Sequence, residues 1–289
     1  MENALKEFAR DGLDMEGLFS ARSVMVIGGP DTGKSTLARL ISVELAARCP
    51  TALVDLDMGQ SSIGPPTTVA WGRAAGPGPP PPEGFYFTGA LSPPGSLLPS
   101  LAGACAVLDS ALGVCGKAVI DTTGLVAGPV GLVLKQYKIE LLAPDVIIAL
   151  QRGSELEHIL SSFSRLDRPS ILRLNVPEGV RRRGAEERAE HRQQRFEEYF
   201  RGSMVVEVRL DDVDVRYTWG AVDLTAALGR AVSFRRGVRE DVALGIIEGA
   251  LPGREGHGSL YIRTPLKKGA PYTSIVVGVC SINLQINGS

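Results

Sequence analysis

Residues 23–36, Ser-Val-Met-Val-Ile-Gly-Gly-Pro-Asp-Thr-Gly-Lys-Ser-Thr, decide the fold. The opening five are short, apolar and rich in β-branched side chains, which reads as a buried strand. Residues 28–35 have the spacing GxxxxGK[ST], and 36–46 carry apolar side chains at helical spacing. A glycine-rich loop between a strand and a helix is where a phosphate is held. Gly28, Gly29 and Gly33 let backbone N–H groups turn inward, and the helix N-terminus adds the positive end of its dipole. Lys34 is a point charge for β and γ phosphates, and Ser35 offers a hydroxyl to Mg²⁺. A bound nucleotide is therefore expected on Gly28, Gly29, Pro30, Asp31, Thr32, Gly33, Lys34, Ser35 and Thr36.

Working outward, strands are expected at 51–55, 85–87, 118–121, 146–150 and 170–174, with helices over 96–115 and 130–142. Apolar strands alternating with helices predict an α/β fold, a mostly parallel sheet covered on both faces. The Pro/Gly run at 74–84 reads as a semi-extended surface connection. After about residue 202 the pattern turns to strands separated by turns, at 205–210, 244–247, 259–262 and 274–279. The expected organisation is a lead-in at 1–21, a P-loop domain at 22–202 and a small β-rich domain at 203–289. In the lead-in, Leu5, Phe8, Leu13, Met15, Leu18 and Phe19 are candidates to pack on the domain beyond it.

The 289 residues suffice for one large domain and a smaller one, and 44% hydrophobic residues can bury an ordinary core. The net charge of −1 gives no argument for nucleic acid from overall charge, so any basic surface must be local. Cys49, Cys105, Cys115 and Cys280 have no metal-ligand spacing and are expected as reduced thiols. No signal-peptide pattern opens the chain and no apolar run is read as long enough to cross a bilayer. A cytoplasmic protein with no membrane contact is the expectation.

Sheets of this kind bind ligands beyond the carboxyl ends of their strands. Asp57 comes just after the second strand; its carboxylate can hold Mg²⁺ through water or take a proton from an attacking hydroxyl. Asp55 is either a partner to Asp57 or a plain strand-end residue. Gln60 can orient a nucleophile or a substrate phosphate. Thr122, Thr123 and Gly124 put hydroxyls and exposed backbone at the next strand end, where phosphate or sugar oxygens can bind. Asp121 through Gly124 also spell DxxG, a GTPase switch pattern, but 175–178, Asn-Val-Pro-Glu, lack the lysine and aspartate that read guanine. Arg188 and Arg192, four apart in a helix-favouring stretch, project from one face. They either clamp a transferring phosphoryl group or belong to a solvated helix laced with glutamates. His191 beside them is expected at the surface. Trp71 and Tyr86 are read as buried aromatics rather than base-stacking platforms.

In that order these residues resemble the polynucleotide 5′-hydroxyl kinase family over roughly 22–202. Besides the phosphate loop, Asp-Leu-Asp-Met-Gly-Gln at 55–60 resembles the family's DxDxGQ. Residues 87–93 resemble its strand and Ser-Pro turn, Thr122-Thr123-Gly124 its clasp, and Arg188/Arg192 before Glu198-Tyr199-Phe200 its RxxxR lid. The resemblance implies transfer of the γ-phosphate of ATP, with Mg²⁺, to the 5′-hydroxyl end of RNA and, as a second acceptor, DNA. It implies that Lys34 and Ser35 hold ATP and Mg²⁺, and that Asp57 activates the hydroxyl. Gln60, Thr122 and Gly124 would grip the first phosphates of the acceptor, while Arg188 and Arg192 close over the transferring group. Leu125 and Ala127 stand where eukaryotic members tend to carry an aromatic residue and a lysine. The rival readings are a non-catalytic ATP-binding scaffold of an RNA-processing complex, a P-loop GTPase and a small-molecule kinase.

Overall fold

The computed structural model describes residues 13–251 and 258–284. Its first part runs Met15–Ser20 (α1), Ser23–Gly28 (β1), Lys34–Ala46 (α2), Thr51–Leu56 (β2), Thr68–Arg73 (β3) and Gly84–Phe87 (β4). Then come Leu97–Cys115 (α3), Lys117–Thr122 (β5), Gly128–Leu142 (α4), Val146–Gln151 (β6), Glu157–Leu160 (α5), Ser170–Asn175 (β7) and Ala185–Tyr199 (α6). The strands form one sheet in the order β4-β3-β2-β5-β1-β6-β7. The five from β2 to β7 run parallel, and β3 and β4 add an antiparallel edge.

The alternation of β1 shows why both faces are covered. Met25 and Ile27 meet Val107 and Leu108 of α3 and Ile139 of α4 on one side. Val24 and Val26 meet Leu37, Ile41 and Leu45 of α2 on the other. Buried on two faces, the strand has no polar side to show, which is the pattern of a central parallel strand. Leu13 and Leu18 bury in the α2-side core, with Met15 and Phe19 packed against it; Leu5 and Phe8 lie outside the described residues.

β3 is a strand the sequence reading lacks. It comes after Pro65 and Pro66 and contains Gly72, both signals against a strand. Its place is at the sheet edge, where the Pro/Gly run returns the chain to β4. A Cβ at Gly72 would fall 2.2 Å from the Pro81 carbonyl oxygen, so the proline segment lies directly on that glycine. Trp71 is buried and its Nε1 donates to Ser110 Oγ at 3.2 Å, and Tyr86 packs against the same core.

One expectation is corrected by α3. Its 19 residues have a mean hydropathy of 1.6, enough in length and composition to cross a membrane. The helix instead buries Ala104, Val107, Leu108 and Ala111 against the sheet. Its apolar character comes from packing a core helix on β2 to β5.

Beyond α6 the chain forms Met204–Arg209 (β8), Asp214–Tyr217 (β9), Arg230–Arg236 (β10), Glu240–Leu251 (β11), Ser259–Thr264 (β12) and Ser274–Ser281 (β13). They make a second sheet in the order β8-β12-β11-β10-β13-β9, antiparallel except for the β13–β9 pair. β9 and β10 are additions to the expected strands; charged residues stand at their ends and blur the alternation. One face of this sheet holds its own core around Phe234, Ile262 and Ile275. Ala231, Leu244, Ile246 and Val276 pack on Phe87 of β4 and on Phe196 and Phe200 of α6.

Polar links fix the same junction. The buried Asp241 carboxylate accepts from the Phe87 amide at 2.8 Å and from Arg235 Nη2 at 2.7 Å. The Tyr199 hydroxyl accepts from the Leu244 amide at 2.9 Å. Gly89, at φ +75°, carries a carbonyl that accepts from Val279 N and Cys280 N, both at 3.0 Å. The second sheet therefore supports the edge of the first and the helix that carries the arginines.

Candidate active site

The phosphate loop leaves β1 at Gly28, packed so tightly that a Cβ would fall 2.7 Å from the Leu150 carbonyl oxygen. Gly33 starts α2 in the left-handed region, at φ 90°, with no side-chain cap. The first N–H groups of α2 are thus left for an anion. Lys34 Nζ donates to the Gly29 carbonyl at 2.6 Å, and Thr32 Oγ1 donates to the same oxygen at 3.0 Å. Burial lowers the Lys34 pKa, while Asp121, Asp57 and Asp31 act to keep it charged.

Asp55 organises the next wall. Its Oδ1 accepts from the Asp57 amide at 2.9 Å, and its Oδ2 from Ser62 N at 2.6 Å and from the Ser61 and Ser62 hydroxyls. It is thus the partner that shapes the loop carrying Asp57. Asp57 Oδ1 in turn accepts from Gly59 N at 3.1 Å and Gln60 N at 3.0 Å, leaving Oδ2 for the cavity.

A cavity of about 760 Å³ joins these walls. Pro30 through Thr36 line it, with Asp57, Gln60, Gly124 and Arg188. Gly124 lies against the phosphate loop, where a Cβ would fall 2.8 Å from Pro30 Cα. Gln60 Nε2 donates to the Arg188 carbonyl at 3.1 Å, so the loop after β2 grips the arginine helix. Arg188 Nη1 reaches Asp31 Oδ2 at 3.3 Å.

Other expected residues are placed differently. Gly28 and Gly29 are buried beneath the loop, outside the cavity lining. Thr122 and Thr123 are buried too. The Thr122 hydroxyl donates to the Val26 carbonyl at 2.9 Å and accepts from Lys135 Nζ at 3.0 Å. Thr123 Oγ1 accepts from Leu125 N, and its carbonyl accepts from Lys135 Nζ at 2.5 Å. Both threonines shape the turn that presents Gly124, and the Thr122 hydroxyl is committed both as donor and as acceptor. Arg192 is not among the lining residues.

The cavity also holds residues that the sequence reading left out. Arg183, His191 and Arg195 line it with Arg188. Residues 188, 191 and 195 share one helical stripe, so the spacing of three and four was the available signal. His191 is half-buried rather than a free surface residue, and its Nδ1 has no hydrogen-bond partner. Burial and the charges of Arg183, Arg195 and Arg192 push its pKa down. Arg195 Nη2 donates to the Ile63 and Gly64 carbonyls at 3.1 and 3.0 Å.

Asp121 emerges as a site residue from its surroundings. It is buried at the end of β5, and its Oδ1 has no partner. Burial and the Asp55 charge raise its pKa to about 7, while Lys34 and the Ser35 hydroxyl pull it down. A buried carboxylate with an empty oxygen beside a serine hydroxyl fits a divalent cation. Among the described residues no group of three His, Cys, Asp or Glu forms a metal centre, so such a cation would depend on hydroxyl and phosphate oxygens. Behind it lie Lys135 and Lys138, both buried. Burial lowers the Lys138 pKa to about 8, and its ammonium has no partner.

Fold and site together define a P-loop nucleotide-binding protein whose phosphate loop is bridged by an arginine-bearing helix. The family described as mRNA cleavage and polyadenylation factor CLP1 P-loop matches residues 28–202, and the chain belongs to it. Among its relatives is a polyribonucleotide 5′-hydroxyl-kinase of Pyrococcus horikoshii, 33% identical over 201 residues, 68% of this chain and 54% of that protein. Another, of Methanocaldococcus jannaschii, is 35% identical over 202 residues, 66% of this chain and 53% of that protein. The chain thus spans about half the length of the curated relatives it matches. Its fold is also that of a chain in a wild-type Clp1p–Pcf11p complex, with TM-score 0.68 and 13% identity over 90% of this chain and 74% of that one. A second Clp1p–Pcf11p structure gives TM-score 0.73 at 12% identity, covering 96% and 80%.

Proposed function

We propose that this protein transfers the γ-phosphate of ATP to the 5′-hydroxyl end of a polynucleotide, RNA in the first place and DNA as a second acceptor. The observation that carries the reading is the convergence of Lys34, Asp57 and Arg188 on one cavity. The names of the archaeal relatives agree with it.

The free Asp57 oxygen takes the proton of the attacking hydroxyl, as a positioned base must. Lys34 leaves the Gly29 carbonyl for the phosphates, and Arg188 neutralises charge that develops on the transferring group. Gln60 orients the acceptor while its amide nitrogen holds the Arg188 backbone. Ser35, Asp57 and Asp121 are the residues that would hold Mg²⁺, which when bound supplies positive charge to the phosphate oxygens. The Thr-Thr-Gly turn contributes through the Gly124 backbone.

The reading is tested with γ-labelled ATP, Mg²⁺ and a short 5′-hydroxyl oligoribonucleotide or its DNA counterpart. Label on the 5′ end supports it, and the ratio of the two acceptors sets their order. ATP binding with no label on either acceptor would overturn it.

A further inference from the structure

Resting on that reading, we propose that Arg39 and Pro79 form an acceptor subsite that selects a nucleic-acid strand over a single nucleoside. Both line the same cavity as Asp57 and Gln60, with Ser62 and Arg195 beside them. Arg39 lies on α2 four residues after Ser35, hence on the same face and about 6 Å, roughly one turn, further along the helix. The positive lining thus extends past the phosphate loop.

The partners of these residues divide their work. Arg195 is bound to the Ile63 and Gly64 carbonyls and to Glu198, and Ser62 to Asp55. They build a wall. Arg39 is half-buried, and among the described residues its guanidinium has no hydrogen bond or ion pair. A half-buried guanidinium left unpaired in the lining of a cavity suits an anion from outside, and a backbone phosphate supplies that charge. Pro79 is exposed, while Pro80 is buried against Gly72. The proline run therefore presents a stiff apolar ring to the same cavity, with little freedom to lose when a sugar or base rests on it.

Asp57 marks where the reacting hydroxyl ends, so the Arg39 end of the cavity takes the nucleotides on the 3′ side of it. The consequence is a dependence on acceptor length. A nucleoside 3′-phosphate and oligoribonucleotides of three and six residues, all with 5′-hydroxyls, serve as acceptors for wild type, Arg39→Ala, Arg39→Lys and Pro79→Gly. Wild type should show KM falling with length. In Arg39→Ala the ratio of mononucleotide KM to hexanucleotide KM should shrink roughly tenfold, the worth of one charged hydrogen bond. Its log–log salt slope for the hexanucleotide should drop by about 0.7, one phosphate contact of a single strand. Arg39→Lys should recover most of both effects, and Pro79→Gly should lose a smaller part of the length gain.

An Arg39→Ala variant that keeps the wild-type length ratio and salt slope would overturn the subsite. So would Arg39→Lys failing alongside it, because the residue would then be structural. Absence of transfer by wild type to every acceptor is a different failure, that of the kinase reading itself.

Discussion

Asp31 Oδ2 lies 3.3 Å from Arg188 Nη1, an ion pair that ties the phosphate loop directly to the helix above it. Both side chains are partly exposed, at 15% and 36% of their surface, so the pair is weak enough to exchange for a phosphate. The same Arg188 lends its carbonyl to Gln60. The helix is thus registered on both walls of the cavity before any substrate arrives.

From that placement, Arg188→Ala should slow phosphoryl transfer by about 10³-fold or more, the effect of removing a transition-state arginine. Arg192→Ala should slow it by less, because Arg192 is not among the cavity-lining residues. Single-turnover transfer under saturating ATP checks both. Equal losses would show that the helix shifts during the reaction to bring Arg192 in.

The second sheet should matter for turnover although it lines none of the cavity. Phe196→Ala removes a side chain that is 5% exposed among Phe87, Leu244 and Val276. Loss of a buried phenylalanine costs about 3–5 kcal/mol. Thermal unfolding should register the loss, and transfer should slow with it as α6 loosens. Tyr199→Phe, which leaves the Leu244 amide without its acceptor, should cost about 1–3 kcal/mol.

Asp121 gives a pH signature. Its folded pKa of about 7 lies above the ordinary carboxylate value, so between pH 4 and 7 the folded state binds more protons than the unfolded chain. This group's contribution to stability therefore falls as pH rises through that window and is level above it. Asp121→Asn should gain stability relative to wild type from pH 4 to 7, read as a growing difference in thermal midpoint. The variant should also lose the stabilisation that ATP with Mg²⁺ gives wild type. A midpoint difference that stays flat across the window would remove the buried, unpaired carboxylate from the account.

Much of the fold was legible because central parallel strands and amphipathic helices leave strong periodic signals, and the β1–loop–α2 unit leaves the strongest. β3 was hidden because edge strands tolerate the prolines and glycine that elsewhere mark loops. The site was legible where chemistry and position coincide, as at Lys34, Asp57 and Arg188. Thr122 and Thr123 show the limit: a motif names a turn, but whether a hydroxyl faces a ligand depends on Lys135, which reaches it from another helix. Asp121 was seen only as part of a switch pattern, since its empty oxygen is a property of burial. His191 and Arg195 were masked by the glutamates around them, and only the packing of α6 against 57–64 tells the inward stripe from the outward one.

Under the proposed reaction Asp57 activates the acceptor hydroxyl, and its loss slows transfer far more than it weakens ATP binding. The direct measurement is single-turnover transfer from γ-labelled ATP to a 5′-hydroxyl oligoribonucleotide by wild type and Asp57→Asn, with ATP affinity measured on both. The account predicts transfer slowed by about 10²–10⁴-fold, the range for a lost general base, with a much smaller loss of ATP affinity. Transfer at the wild-type rate in Asp57→Asn would contradict it.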